Sequence, residues 1–156
     1  LWPEPFYGAA FTPEQQAQIA EEERVRQLSK LEALSAMAIE SVQQKAGLGV
    51  SSSDTQLILA TTKGNIDLLG LETDHPKESL LNWFPQNLAK HFQVKRAPLL
   101  VSNACISGLL AIIVAGRMLE SGKVKNVIVV GGDLLTRFTL SGFQSFMAVS
   151  DQPCKP

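Results

Sequence analysis

The 156-residue sequence is poor in cysteine, in aromatic residues and in net charge. Two cysteines cannot build a disulfide framework or a cysteine-rich zinc site. With 14 basic and 15 acidic residues, the formal charge of −1 gives no broad attraction to nucleic acid or to an acidic membrane. The longest nearly apolar run, residues 104–116, is too short to cross a bilayer, and no secretory signal opens the chain. We therefore expect a soluble, cytoplasmic protein in a reducing compartment.

Nucleotide and metal motifs are also missing from the sequence. There is no G-x-G-x-x-G and no Walker sequence that could cradle a phosphate. Because no Cys-x-x-Cys or His-x-x-x-His pair occurs, we expect neither a metal nor a cofactor. Asp133 follows a predicted strand and is expected to pair or cap locally rather than to act in catalysis. Cys154, in the segment PCKP, is expected to be structural.

Aliphatic residues are plentiful and predict a folded core. Hydrophobic residues make up 45% of the chain, and we interpret residues 1–156 as a single α/β domain. Residues 1–27 are expected to form an aromatic arm, as irregular chain or a short strand, followed by a polar helix. Thr12, Pro13 and Gln15 predict the capped start of that helix.

An amphipathic helix is predicted from Leu28 to Ala46, and Gly47 predicts its end. Apolar residues recur at spacings of three and four on one face: Leu28, Leu31, Leu34, Ala38 and Val42. The polar stretch before Leu28 is read as a separate exposed helix, with the acidic residues 21–23 on a solvated face.

Short apolar runs after residue 55 predict three buried strands. The strands fall at residues 56–61, 98–102 and 127–130, and helices are predicted at 76–92, 106–120 and 138–149. Pro85 is expected to kink or split the first of these helices. Strands without apolar–polar alternation, separated by helices, are typical of a mostly parallel sheet with helices on both faces.

Cys105 carries the clearest chemical signal. It lies in residues 102–108, SNACISG, between a predicted strand and a predicted apolar helix. Backbone N–H groups and the helix dipole at such a junction favour a thiolate and can hold a developing oxyanion beside it. The small residues around Cys105 allow a sharp turn and the close approach of a substrate. The residues alone also allow an inert, buried cysteine that packs as a small hydrophobe.

The motifs around Cys105 resemble, in their order, the nucleophile region of the β-ketoacyl synthases. The stretch ACIS at residues 104–107 is followed by an apolar helix, an apolar strand and the GGD of residues 131–133. Residues 140–150, LSGFQSFMAVS, are similar to the Gly-Phe segment and the Ala-Leu-Ser-like stretch of the family. PCKP at 153–156 is similar to its Pro-Cys-Arg-Pro segment. With the upstream helix and strand, the resemblance covers residues 28–156.

This resemblance implies the N-terminal half of a thiolase-like fold and a decarboxylating Claisen condensation. The Cys105 thiolate would accept an acyl group from an acyl carrier protein or coenzyme A, and a malonyl thioester would then lose CO₂ and attack it. Cys105 would also donate its backbone N–H to the oxyanion. Ile106 and Phe143 would contact the acyl chain, although Phe143 is equally suited to core packing. The family relationship further implies a homodimer or a ketosynthase-type heterodimer.

The sequence departs from the family pattern in its histidines and at its N-terminus. The two catalytic histidines and the lysine of the family follow the Pro-Cys-Arg-Pro segment, and His75 and His91 match neither histidine motif. The chain is therefore expected to be the first half of an enzyme, without the groups that drive decarboxylation. Residues 5–11, PFYGAAF, are the only candidate for the opening strand of the family.

Two other functions compete with the acyltransferase. One is a non-catalytic ketosynthase-like partner subunit that sets chain length or assembly, although such partners typically lack the cysteine. The other is a cysteine hydrolase, which needs a histidine base near Cys105. The sequence leaves open the acyl-chain length, the choice of carrier protein or coenzyme A, the step catalysed and the pathway.

Overall fold

The computed structural model describes residues 10–69, 76–150 and 152. The predictions for residues 1–9, for His75 and for Cys154 lie outside these residues. The described residues form five α-helices and a three-stranded parallel sheet, in the order expected from the sequence. The predicted mixed α/β class with a parallel sheet is thereby confirmed.

The N-terminal segment folds into two helices, α1 (Pro13–Arg26) and α2 (Lys30–Ala46). Thr12 and Gln15 form the predicted capping box, because each side chain accepts a hydrogen bond from the backbone N–H of the other residue. Gln27 adopts a left-handed conformation, with φ at 54°, which ends α1 before α2 begins. The polar stretch is therefore a separate helix, as predicted.

Helix α1 is exposed along most of its length, and its one buried residue is Ile19. Arg26 ties α1 to α2 by donating to both carboxylate oxygens of Glu40, over 2.6 and 3.0 Å. These hydrogen bonds, together with those to Glu22, raise the pKa of Arg26 above its ordinary value. A paired guanidinium at the last residue of α1 also complements the helix dipole.

The buried face of α2 differs from the predicted one. Ala38 and Val42 were expected on this face, but both are exposed, Val42 to 41%. The buried residues are Leu31, Glu32, Ala33, Ser35, Ala36 and Ile39. Glu32 turns inward because its carboxylate accepts hydrogen bonds from the Asn65 and Asn87 side chains, over 2.9 and 2.8 Å. Hydrophobic spacing could not indicate this buried acidic residue.

The sheet consists of β1 (Thr55–Ala60), β2 (Leu99–Val101) and β3 (Asn126–Gly131). Strand β1 is central and every residue in it is buried, with β2 and β3 pairing in parallel on either side. All three strands were predicted. Strand β2 is less buried than expected, because Leu99 on this short flanking strand is 38% exposed.

The two crossover helices, α3 (Trp83–His91) and α4 (Ser107–Glu120), cover opposite faces of the sheet. The chain moves from β1 to β2 in one direction and from β2 back past β1 to β3 in the other. Because such crossovers are right-handed, the reversal of direction places the two helices on opposite faces. The helices on both faces agree with the prediction.

The predicted interruption of the helix at residues 76–92 is confirmed, but Pro85 does not cause it. A short 3₁₀ turn, Pro76–Ser79, is separated from α3, and Pro85 lies in the first turn of α3, where proline is tolerated. The last helix, α5 (Arg137–Ser145), ends earlier than predicted. Beyond it, Met147 has a left-handed φ of 54°.

Candidate active site

The chemically distinctive residues lie at one edge of the sheet. Strands β1, β2 and β3 run parallel, so their carboxyl ends share an edge, and the segments that follow them meet there. Cys105 follows β2 and Asp133 follows β3. Ligands of open parallel sheets bind outside this edge, which makes it the expected place for a reaction site.

A strained turn connects β2 to α4 and presents Cys105. Ala104, the residue before the cysteine, has a φ of 45°, in the left-handed region that alanine rarely adopts. Holding a non-glycine residue there costs about 1–3 kcal/mol, and such strain persists only where its surroundings enforce it. The sharp turn that the small residues predicted is present, and its thiol is free and exposed.

Ser107 holds this turn together. Its buried hydroxyl accepts a hydrogen bond from the backbone N–H of Asn103 and donates one to the carbonyl of Ala104, each over 2.7 Å. The sequence indicated only a small residue at this position. One sequence feature could have indicated these hydrogen bonds: Ser107 is the first residue of a helix and follows Asn103 by four positions. From there a serine hydroxyl can bond to the backbone of the preceding turn.

The N-terminus of α4 lies directly behind Cys105. Its N-cap position is Ile106, which provides no side-chain acceptor for the first amides of the helix. The positive end of the helix dipole is therefore not covered by a capping side chain, and it favours negative charge nearby. Ile106 itself is 52% exposed, next to the thiol. The turn thus brings Cys105 and Ile106 together at the surface.

Phe143 lies on α5, where it lines a small apolar cavity of about 200 Å³ with Phe138, Phe146 and Lys63. The described residues that line this cavity do not include Cys105 or Ile106. Phe143 is 46% exposed and so does not pack in the core, which was the other role considered for it. Its predicted contact with an acyl chain remains a prediction.

Asp133 is hydrogen-bonded, but its partners are 70 to 72 residues away in sequence and are not the local ones predicted. Its carboxylate accepts hydrogen bonds from the hydroxyls of Thr61 and Thr62, over 2.7 and 2.8 Å. The backbone N–H groups of Thr62 and Lys63 also donate to it. The acidic residue of the GGD segment therefore connects the end of β1 to the end of β3.

A larger cavity, of about 1010 Å³, lies between α2 and the segment that joins β3 to α5. Leu34, Leu135 and Phe138 contribute apolar walls, and Lys30 and Asp67 contribute charge. Burial raises the pKa of Asp67 above its ordinary value. Cys105 does not line this cavity either, so the candidate site is defined by the position of the exposed cysteine and not by a cavity.

His91 is the one histidine within the described residues, and it lies away from Cys105. It is exposed at the C-terminal end of α3, which leads into the start of β2, whereas Cys105 follows the end of β2. Its ring contacts Phe92 edge-on, with the ring centroids 4.9 Å apart. The structure agrees with the prediction of a surface position, and His91 is not placed to act as a base for Cys105.

The described residues contain neither a cluster of metal-ligating side chains nor a membrane-spanning helix. No group of three or more histidine, cysteine, aspartate or glutamate side chains there could hold a metal ion. No helix formed by the same residues has both the length and the apolar character needed to cross a membrane.

The outer face of α4 is apolar and exposed next to the candidate site. Leu109 and Ile112 are 61% and 60% exposed, and the helix carries only two charged residues, Arg117 and Glu120, both in its last turn. Further exposed apolar residues on the same helix are Ile113 and Leu119. Large exposed apolar surfaces commonly mark sites of contact with another protein, a membrane or a ligand.

Comparison with known families identifies the segment that contains this site. Residues 101–145 match the family model described as 3-oxoacyl-[acyl-carrier-protein (ACP)] synthase III, and they make up less than a third of the 156-residue chain. The match confirms the resemblance to the β-ketoacyl synthases, and the α/β architecture is consistent with a fragment of a thiolase-like fold. At family level, it supports a ketosynthase-like acyltransferase. No curated protein matches the chain significantly.

Proposed function

We propose that this protein acts as a β-ketoacyl synthase-type acyltransferase, with Cys105 as the residue that carries the acyl group. The observation that carries the proposal is the exposed thiol of Cys105, on a strained turn at the carboxyl edge of a parallel sheet and at the start of α4. The match of residues 101–145 to 3-oxoacyl-ACP synthase III supports the same chemistry.

In the first step, the Cys105 thiolate attacks the carbonyl carbon of an acyl thioester. A new carbon–sulfur bond forms, the bond from that carbon to the carrier's sulfur breaks, and the carrier leaves as a thiolate that takes up a proton. The backbone N–H of Cys105 is proposed to stabilise the oxyanion of the tetrahedral intermediate. Ile106, exposed beside the thiol, is positioned to contact the first carbons of the acyl chain.

In the second step, a malonyl thioester loses CO₂ and its α-carbon attacks the acyl-Cys105 carbonyl. A carbon–carbon bond forms, the carbon–sulfur bond to Cys105 breaks, and the thiolate is restored. The described residues bring no imidazole to Cys105, since His91 lies at the C-terminal end of α3, before β2 begins. We propose that a complementary ketosynthase half supplies the histidines and the lysine for this step, either on the same polypeptide or on a partner chain.

The proposed acyl donors are an acyl carrier protein and acyl-coenzyme A, in fatty acid or polyketide-type synthesis in the cytoplasm. We further propose that Phe143 lies along the acyl chain once the complementary ketosynthase half is in place, because the small apolar cavity that it lines on α5 is open to solvent.

We also propose a dimer, either a homodimer or a ketosynthase-type heterodimer, because the outer face of α4 is apolar and exposed.

The experiment that tests this proposal follows thioester transfer on the 156-residue protein. Acetyl-, butyryl- and octanoyl-coenzyme A are each incubated with the protein, and the acyl-enzyme is located by peptide mass spectrometry. Cys154, the second cysteine of the chain, is an internal reference for nonspecific acylation. We expect acylation at Cys105 in preference to Cys154, and its loss in Cys105→Ser but not in Cys154→Ser.

The second candidate is a non-catalytic ketosynthase-like subunit that sets chain length or assembly. The absence of an imidazole beside Cys105, within the described residues, favours it. Equal and slow acylation of both cysteines, in the protein alone and with added ketosynthase subunits, would support this subunit role. Release of free carboxylic acid without condensation would instead support a thioester hydrolase.

A further inference from the structure

We propose that Ser107 is a positioning residue that aims the backbone N–H of Cys105 at the reacting carbonyl. This inference rests on the proposed function, because it assigns a role in the same acyl transfer. Ser107 does not contact the substrate in this account. It acts through the peptide group that joins Ala104 to Cys105.

The hydrogen bonds of Ser107 fix the orientation of that peptide group. The carbonyl oxygen of Ala104 accepts from the Ser107 hydroxyl over 2.7 Å and from the Ser107 backbone N–H over 3.3 Å. The same carbonyl shares a planar, trans peptide with the N–H of Cys105, which therefore points in the opposite direction. Two donors that hold the carbonyl toward the helix thus hold the N–H of Cys105 away from it.

A third contact prevents the turn from rotating as a unit. The Ser107 hydroxyl also accepts from the backbone N–H of Asn103 over 2.7 Å, so it links both sides of the strained residue Ala104. A hydroxyl can donate once and accept at the same time, whereas alanine at this position could do neither. Ser107 is buried, so solvent is poorly placed to replace the lost hydroxyl.

A test must separate positioning from simple stability or access. Alkylation of Cys105 by iodoacetamide requires a thiolate but forms no oxyanion. Acylation by a thioester requires the thiolate and also forms an oxyanion that must be stabilised. Removal of an oxyanion donor lowers the rate by about 10²–10³-fold in known enzymes, so a misdirected donor is expected to cost about 10-fold or more. The positioning role therefore predicts a selective loss of acylation in Ser107→Ala, with alkylation changed by less than about threefold.

The matched control is Ser121→Ala, at the other end of the same helix. The Ser121 hydroxyl is exposed and donates to the carbonyl of Met118 over 3.0 Å, so this substitution removes a similar contact far from Cys105. It is expected to change neither rate. Ser107→Thr keeps the hydroxyl and should recover most of the acylation rate. This variant shows whether a slow Ser107→Ala protein has lost the hydroxyl's contacts or has simply misfolded.

The outcomes separate the two proposals. The positioning role is wrong if Ser107→Ala is acylated as fast as the wild type. It is also wrong if the rates of acylation and alkylation at Cys105 fall by the same factor. A folded Ser107→Thr variant with the slow acylation of Ser107→Ala would also contradict it. Failure of the wild-type protein to form acyl-Cys105 at all contradicts the proposed function itself, and the inference about Ser107 fails with it.

Discussion

The two faces of the sheet are packed very differently. The face under α2 and α3 buries a continuous core that includes Ile39, Leu57 and Leu88, and a hydrogen-bonded carboxylate, Glu32, lies among these helices. The face under α4 buries only Ile58, Ala60, Ala111 and Ala115, while the outer side of α4 remains apolar and exposed. One face is therefore complete within the described residues, and the other carries Cys105 and an exposed apolar surface.

This difference separates the part that stabilises the fold from the part that carries the proposed reaction site. Apolar surface that is buried within the chain stabilises it, by about 25 cal/mol per Å². Apolar surface left exposed beside Cys105 contributes nothing to the fold of the isolated chain. We infer that it is kept for contact with another surface, which would also exclude water from the acyl-enzyme.

The largest expected effect contrasts the same substitution on the two faces. Ile39→Ala removes a fully buried side chain on α2 and is expected to cost about 2–5 kcal/mol of unfolding free energy. Ile112→Ala, at a 60% exposed position on α4, should change it by less than about 0.5 kcal/mol. Urea unfolding followed by circular dichroism measures both. Equal losses would mean that the two faces are not packed differently.

A second prediction concerns the buried carboxylate of the complete face. Glu32→Ala removes one acceptor each from the side-chain amides of Asn65 and Asn87, which is expected to cost about 1–3 kcal/mol. The control is Glu40→Ala on the same helix, where the exposed pair with Arg26 is worth about 0–1 kcal/mol. Thermal unfolding of the two variants compares them, and a Glu32 variant as stable as the Glu40 variant would contradict the network's role.

A third prediction concerns self-association through the exposed apolar side of α4. The isolated protein is expected to associate, and Leu109→Lys should raise its dissociation constant about 10-fold or more, because a charge replaces exposed apolar surface. Val42→Lys places the same charge on the exposed side of α2 and should have no effect. Sedimentation velocity over a concentration series distinguishes them. A wild-type protein that stays monomeric throughout would count against this role of α4.

The smallest expected effect is a pH dependence on the complete face. Burial raises the pKa of Asp67 above its ordinary value of 3.8, and its buried Oδ1 has no hydrogen-bond partner in the described part of the chain. The folded state therefore favours the protonated form, so this contribution to stability is full below pH 3.8 and is lost as the pH rises through the raised pKa.

The test of this pH dependence is Asp67→Asn, which cannot ionise. Its unfolding free energy should exceed that of the wild type at pH 7, and the difference should shrink as the pH falls toward 4. Denaturant unfolding at several pH values measures the difference. A constant difference at all pH values would mean that Asp67 does not carry it.

Much of the fold could be predicted from the sequence because its strands are short apolar runs that alternate along the chain with helical segments. The position of Cys105 before α4 followed from the same pattern. The buried face of α2 was misjudged, since the hydrogen bonds that bury Glu32 come from residues distant in sequence. The hydrogen bonds of Ser107 were missed because they depend on the backbone of a turn, which side-chain patterns do not specify.

The central claim is that Cys105 forms a thioester with an acyl group. The most direct measurement is the intact mass and peptide map of the protein after incubation with acetyl-coenzyme A, at neutral pH, with Cys105→Ser as the control. The account predicts one acetyl group per chain, on Cys105 and absent from the variant. An unmodified protein, or equal modification of the wild type and the Cys105→Ser variant, would contradict it.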